Sequence, residues 1–306
     1  MDRVNEELEQ MGAKKALLQL PDGLRNKSHH FKNKIHCDLD IWGGSCYGAC
    51  DLPASIRDAD ALIHVGHSEI PNLEPSYPVI YMEGRSTIDL DLPDDIYEGL
   101  EGKVVALYST VQYLDQIYGL EDEFRRRGIE VKYGEGDDRI KYPGQILGCN
   151  FSCRTDADEH IYVGSGTFHP VGLSLSLGER VHVFAPGTGE LKSTEELVDG
   201  LLRRRFAAIT LAEEKDKIAI LVSEKPGQDR RELVAEIGME CDVVCMEEIT
   251  PERVDSLGYD VAINTACPRL ALDDSIRFKT IMLTPCEYKI TKKEVPWDGW
   301  RMDEIR

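Results

Sequence analysis

KKALLQLPDG (14–23), KVVALYSTVQ (103–112) and KIAILVSEKPGQ (217–228) begin three stretches of the chain in the same way. In each, a lysine leads a short apolar run into a turn and then a polar stretch of helical length. About 20 residues on, each stretch has a second run: DLDIWGG (38–44), IEVKYGEG (129–136) and CDVVCMEE (241–248). A third run follows, in DALIHVGHSE (60–69), EHIYVGSGTF (159–168) and YDVAINTACP (259–268). A fourth closes each unit, in PVIYMEG (78–84), RVHVFAPG (180–187) and TIMLTPCE (280–287). Short β-branched runs alternating with helix-length polar segments are the signature of βαβ units and a parallel sheet. Continuous apolarity within the runs suits strands covered on both faces. The expected fold is α/β: three homologous small domains, each a mostly parallel four-stranded sheet flanked by helices, arranged around a central site. Their expected spans are 1–101, 102–190 and 191–306, the last opening with a helix-like linker around Glu190–Lys215.

Composition narrows the function classes. With 306 residues, 42% apolar and 30% charged, the chain reads as an ordinary globular protein with room for more than one core. A net charge of −20 argues against a nucleic-acid footprint, which needs clustered cations. The basic triplets Arg125–Arg127 and Arg203–Arg205 read as solvated helix faces, and the acidic stretch Asp89–Glu101 as a solvated connector. No apolar run is long enough to cross a membrane, and MDRVNEELEQMGAKK has no signal-peptide core, so the expected location is the cytoplasm. Nine cysteines in such a compartment are buried small apolar residues, ligands or nucleophiles rather than a disulfide framework.

In open parallel sheets, sites form beyond the carboxyl ends of the strands. Cys50, in GGSCYGACDLP, lies between the second and third runs of the first unit, and Cys149, in PGQILGCNFS, between those of the second. Gly66 and Gly164 follow them by 16 and 15 residues, so the two cysteines are candidates for one position in two copies of a fold. Each has glycine beside it and is expected to open a helix, where thiolate is favoured. Cys267, in NTACPRL, follows the third run of the third unit and reaches the same predicted rim. Cys46 and Cys153 make C-x3-C pairs with Cys50 and Cys149, a spacing that zinc sites use, so a four-cysteine zinc site competes. A metabolite-binding α/β protein with buried thiols is a second alternative. The contiguous C-x3-C-x2-C of ordinary radical enzymes is absent, since the position three beyond the pairs Cys46/Cys50, Cys149/Cys153 and Cys241/Cys245 is Pro53, Asp156 and Glu248.

SCYGACD (45–51), QILGCNF (145–151) and ACPRLALDD (266–274), with QLPDGL (19–24) and VSEKPGQ (222–228), together resemble 2-(3-amino-3-carboxypropyl)histidine synthase, the first-step enzyme of diphthamide biosynthesis. The motifs occur in family order from Gln19 to Asp274. The resemblance implies a 4Fe-4S cluster held by Cys50, Cys149 and Cys267, one cysteine from each domain. It implies S-adenosylmethionine as cosubstrate at the iron without a protein ligand, cleaved on its methionine side by a radical mechanism. The product is then a 3-amino-3-carboxypropyl group on the imidazole C2 of a histidine in translation elongation factor 2. One chain carrying all three cysteines is similar to the archaeal homodimeric form, served by an electron donor that the residues do not identify.

The strand-end rule adds candidate cosubstrate contacts. These are Pro21, Asp22 and Gly23 after the first run; Gly164, Ser165, Gly166 and His169 in GSGTFHP, where a plain turn competes; Gln228 in KPGQ, which matches a family motif; and Arg269, as a carboxylate partner or a brace for the Cys267 loop. None of the eight histidines is assigned as a general base, and His64 and His182 read as strand residues.

Overall fold

The computed structural model describes residues 1–238 and 241–306. Each repeat builds its own sheet. The first contains β1 (Lys15–Gln19), β2 (Asp38–Ile41), β3 (Ala61–Gly66) and β4 (Val79–Glu83) in the order β2-β1-β3-β4. The second contains β5 (Val104–Ser109), β6 (Glu130–Lys132), β7 (Glu159–Val163), β8 (His182–Ala185) and β9 (Glu190–Ser193) in the order β6-β5-β7-β8-β9. The third contains β10 (Ile218–Ser223), β11 (Asp242–Met246), β12 (Val261–Asn264) and β13 (Ile281–Leu283) in the order β11-β10-β12-β13. Every pairing is parallel except β8 with β9.

The register shows why the runs are apolar. Ala16, Leu17 and Leu18 stand opposite Ala61, Leu62 and Ile63, and these central strands are sealed by helices and loops on both faces. Ile220 and Val222, with Val261 and Ile263, pack on one side of the third sheet, while Leu221 and Ala262 pack on the other. Edge strands tolerate polar residues, as in the largely exposed β2. In all three sheets the strand order reverses between the first and third strands, which opens a crevice at their carboxyl ends.

Two local expectations are corrected. Glu190–Ser193 is a strand, the only antiparallel one among the described residues, and the connecting helix begins after it, at Glu195–Ala212. The second basic triplet is not wholly solvated: Arg205 is 1% exposed. Its Nε and Nη2 donate to the Glu287 carboxylate at 2.8 and 2.6 Å, and Nη1 and Nη2 donate to the carbonyls of Ala271 and Met282, both at 2.6 Å. Leu201, Arg205, Ile209 and Ala212 form the buried stripe of that helix. Arg205 thus falls on its inward face by helical spacing.

Candidate functional site

A cavity of about 560 Å³ lies where the three sheets present their carboxyl edges, a size suited to a small-molecule ligand. Cys50, Cys149 and Cys267 all line it. Cys149 is buried, whereas Cys50 and Cys267 keep part of their surface open. Neither Cys50 nor Cys149 opens a helix, contrary to expectation; both lie in irregular loops. Cys267 is the helix-cap cysteine, at the N-cap of Pro268–Leu272.

Close backbone approach makes the site. A Cβ on Gly227 would lie 2.5 Å from Cys50 Cα, so the KPGQ turn meets the first cysteine loop only through glycine. Gln228 Nε2 then donates to Cys50 Sγ at 3.4 Å. Lys225, from the same turn, pairs with Asp51 at 2.7 Å and donates to Ser45 Oγ at 2.9 Å. The second unit closes in through Arg139, which is 5% exposed and donates to the Gly227 carbonyl at 2.6 Å. Arg230 joins the Cys267 and Cys149 loops. It donates to the carbonyls of Thr265 and Ala266 at 2.6 and 3.0 Å and grips Asp303 through two hydrogen bonds of 2.9 and 2.8 Å. Next to Asp303, the backbone N–H of Ile305 donates to the Cys149 carbonyl at 2.7 Å.

Burial raises all three thiols. Cys50 is pushed up to about 12 by desolvation and by charge on Cys149, with the Gln228 hydrogen bond working the other way. Cys149 rises by desolvation, opposed by the Arg139 guanidinium. Cys267 rises by desolvation and by charge on both other thiols. The three are therefore near enough to feel one another's charge. They are nevertheless not a single-ion site. Among the described residues, the one trio of ligand-type atoms mutually within 4.8 Å is Cys46, His64 and His67. One tetrahedral zinc, with sulfur at ~2.3 Å, would draw thiolates to about 3.8 Å from each other. Cys50, Cys149 and Cys267 share one cavity without all three lying within 4.8 Å of one another, which suits a polynuclear cluster. The four-cysteine zinc arrangement is not formed, because Cys153 is fully buried in the core of the second unit with Phe151 and Tyr162.

Of the other predicted contacts, Gln228, His169 and Arg269 line the cavity. Pro21, Asp22 and Gly23 do not: Pro21 packs against Gly66, where an added Cβ would meet its ring at 2.9 Å, and Asp22 pairs with Arg25 at 2.8 Å. Gly164, Ser165 and Gly166 also fall outside the lining, which is reached instead by Phe168 and His169, the first residues of the helix Phe168–Leu177. Burial lowers His169 to about 4, assisted by Arg269. Arg269 faces Asp273 and Asp274 at 3.2 and 3.5 Å and stacks over Phe168. Sequence reasoning did not find Arg139 and Arg230, whose partners are distant along the chain. Nor did it find His67 and Ser68, cavity residues three and four positions beyond His64. Their place just past the end of β3 was the available signal.

The family profile described as "Putative diphthamide synthesis protein" matches residues 20–301. The 2-(3-amino-3-carboxypropyl)histidine synthase of Pyrococcus horikoshii is 31% identical, over 93% of this chain and 87% of that protein. The synthase of Methanocaldococcus jannaschii is 28% identical, over 100% of this chain and 92% of that protein. The crystal structure of Dph2 from Pyrococcus horikoshii with a 4Fe-4S cluster superposes with a TM-score of 0.89 at 30% identity, covering 99% of this chain and 93% of that one.

Proposed function

The chain belongs to the diphthamide synthesis protein family, and we propose that it is a 2-(3-amino-3-carboxypropyl)histidine synthase. It transfers the 3-amino-3-carboxypropyl group of S-adenosylmethionine to the imidazole C2 of a histidine in translation elongation factor 2, the first step of diphthamide biosynthesis. The observation that carries this reading is the convergence of Cys50, Cys149 and Cys267, one from each sheet, on a single cavity. Those three residues are the ligands for a 4Fe-4S cluster. When bound there, such a cluster would supply the electron that cleaves a carbon–sulfur bond of the sulfonium.

The chain's own residues orient and exclude. Gln228 donates to Cys50 Sγ, and the positive charge of Arg139 acts on Cys149, each favouring the thiolate that burial would otherwise suppress. The cavity walls fix which carbon–sulfur bond faces the metal, so product identity is a matter of orientation. Gln228 touches Cys50 and is thereby committed to the cluster side of the site. His169, held neutral by burial, and Arg269 line the remaining space and are the cosubstrate contacts favoured by position. Pro21–Gly23 and Gly164–Gly166 lie outside the cavity lining and are the candidates that position favours less.

No helix among the described residues is long and apolar enough to cross a membrane. Free cysteines throughout suit a reducing compartment, and cytoplasmic residence follows as part of this reading. A homodimer, supplied by a separate electron donor, completes it. The spans 1–101, 102–190 and 191–306 are kept as the three domains, with β9 extending the second sheet to Ser193.

The test is anaerobic incubation with reductant, S-adenosylmethionine and elongation factor 2, followed by mass analysis of the factor's histidines. A gain of one aminocarboxypropyl group with release of methylthioadenosine is expected. An unmodified factor in the presence of a fully loaded cluster would sink the assignment.

A further inference from the structure

Behind the cavity wall lies a second group of ligand-type side chains that the transfer reaction does not use. Cys46, His64 and His67 bring one sulfur and two imidazole nitrogens within 4.8 Å of one another. Cys46 and His64 are buried, and His67 is partly buried and lines the main cavity. The geometry points to a binding site for a single divalent ion of zinc type in the first domain, with Cys46, His64 and His67 as its protein ligands.

The hydrogen-bond pattern around His64 favours this. Gln19 Nε2 donates to the carbonyls of Ser45 and Asp51 at 3.0 and 2.6 Å, which leaves Gln19 Oε1 as the acceptor. His64 Nδ1 lies 2.7 Å from that oxygen, so it carries the proton and donates. The lone pair of His64 is therefore on Nε2, which faces His67 Nδ1 at 3.0 Å. That lone pair accepts from His67 Nδ1 in the empty site and turns to the metal once that proton moves; a ring whose far N–H is fixed by an outer acceptor is the usual support of a metal-bound histidine. Two imidazoles and a thiol are the donor set of borderline ions such as Zn²⁺, not of calcium or magnesium. Binding is balanced by release of the Cys46 thiol proton and by transfer of the His67 proton from Nδ1 to Nε2, freeing Nδ1 as ligand. The fourth position falls to water or to a cavity-borne group, because His67 belongs to both the trio and the cavity wall.

Spacing keeps this site apart from the cluster cysteines. Cys46 is four residues before Cys50 and senses its charge, yet among the described residues only the Cys46 trio meets the single-ion distance. The ion would thus clamp the start of the loop that carries Cys50, whose other end is held by the Asp51–Lys225 pair.

The experiment uses the full-length, anaerobically purified protein and Zn²⁺ or Co²⁺ as probe, with zinc, iron and sulfide measured together. A second background, Cys149→Ala, removes one cavity thiol, so that binding there cannot arise from the three cavity cysteines acting together. The expected result is about one zinc per chain in both backgrounds. Cys46→Ser and His67→Gln should each lower zinc affinity at least tenfold. Bound Co²⁺ should show thiolate charge-transfer absorption that Cys46→Ser abolishes. Because a variant can fail by misfolding, melting of the unmutated chain is recorded with and without stoichiometric Zn²⁺, and a rise is expected. No rise and no cobalt absorption in the unmutated chain would overturn the site, as would binding undiminished in both variants. Failure here leaves the iron and sulfide counts intact, so it is distinguishable from failure of the cluster assignment.

Discussion

Gln228 Nε2 sits 3.4 Å from Cys50 Sγ, although the two residues are 178 positions apart. This contact ties the first strand-end turn of the third unit to the first cysteine loop, and it is a donor aimed at a sulfur that burial otherwise holds in its neutral form. A hydrogen bond to a charged group contributes about 1.5–3 kcal/mol. Gln228→Leu should therefore weaken cluster retention by roughly tenfold or more, read as iron remaining after a fixed exposure to chelator. Retention equal to the parent would show that the contact has no role in holding the thiolate.

Gly227 is expected to tolerate no side chain. In Gly227→Ala the new methyl would lie 2.5 Å from Cys50 Cα and 2.8 Å from its carbonyl oxygen, and backbone cannot rotate away as a long side chain can. Overpacking of this kind costs about 1–3 kcal/mol. The variant should melt several degrees lower and lose iron, measured by calorimetry and metal analysis on one sample.

The cysteines should separate into two classes. Alanine at Cys50, Cys149 or Cys267 removes a ligand and should abolish or strongly deplete the four irons. Cys153→Ala should keep the cluster, since that thiol is fully buried in the second unit's core. Its cost should be limited to about 1–2 kcal/mol of stability from lost packing. Brown colour and the iron-to-protein ratio in the four variants decide the matter.

Acid should destabilise the fold through His169. Its folded pKa is lowered to about 4 by burial, against 6.5 ordinarily. Protons therefore bind the unfolded chain first as pH falls. The contribution is fully present above pH 6.5 and is lost as pH falls through 4. At most about 1.4 kcal/mol per pH unit is at stake, and partial exposure of the ring to the cavity reduces it. Urea unfolding at several pH values between these limits should give a shallower acid loss for His169→Phe than for the parent.

Arg205 and Glu287 form a fully buried pair with further hydrogen bonds to main-chain carbonyls, to Trp300 and to the backbone of Thr284. Removing one partner leaves an unpaired buried charge and costs about 3–5 kcal/mol. Arg205→Ala should shift the urea midpoint well below that of Arg203→Ala, whose side chain is solvated and pairs only loosely with Asp199 at 3.6 Å.

The repeat itself was readable along the chain, because a strand covered on both faces is apolar through most of its length and the polar stretches between runs are long enough for parallel crossovers. All twelve predicted runs became strands. The thirteenth, Glu190–Ser193, was not readable: its sequence ELKS is mostly polar and its place comes from pairing with β8 alone. Arg205 was misjudged from its charge, although its helical spacing from Leu201 and Ile209 carried the contrary signal. The cosubstrate candidates divided too. Pro21–Gly23 and Gly164–Gly166 stand at strand ends, as the rule demanded, but do not line the cavity, whereas His169, Gln228 and Arg269 do.

Local patterning along the chain thus determined the three parallel sheets, the loops carrying Cys50, Cys149 and Cys267, and the motifs that mark the family. Tertiary structure alone decided that these loops meet on one cavity, that Gly227 and Gln228 close on Cys50, and that Arg139 and Arg230 lock the loops together. It also decided that Cys46 turns away from Cys153 toward two histidines. Periodicity reports which face of an element is buried, which neighbours along the chain control. Contacts between residues a hundred positions apart depend on how whole sheets dock, and no local pattern encodes that.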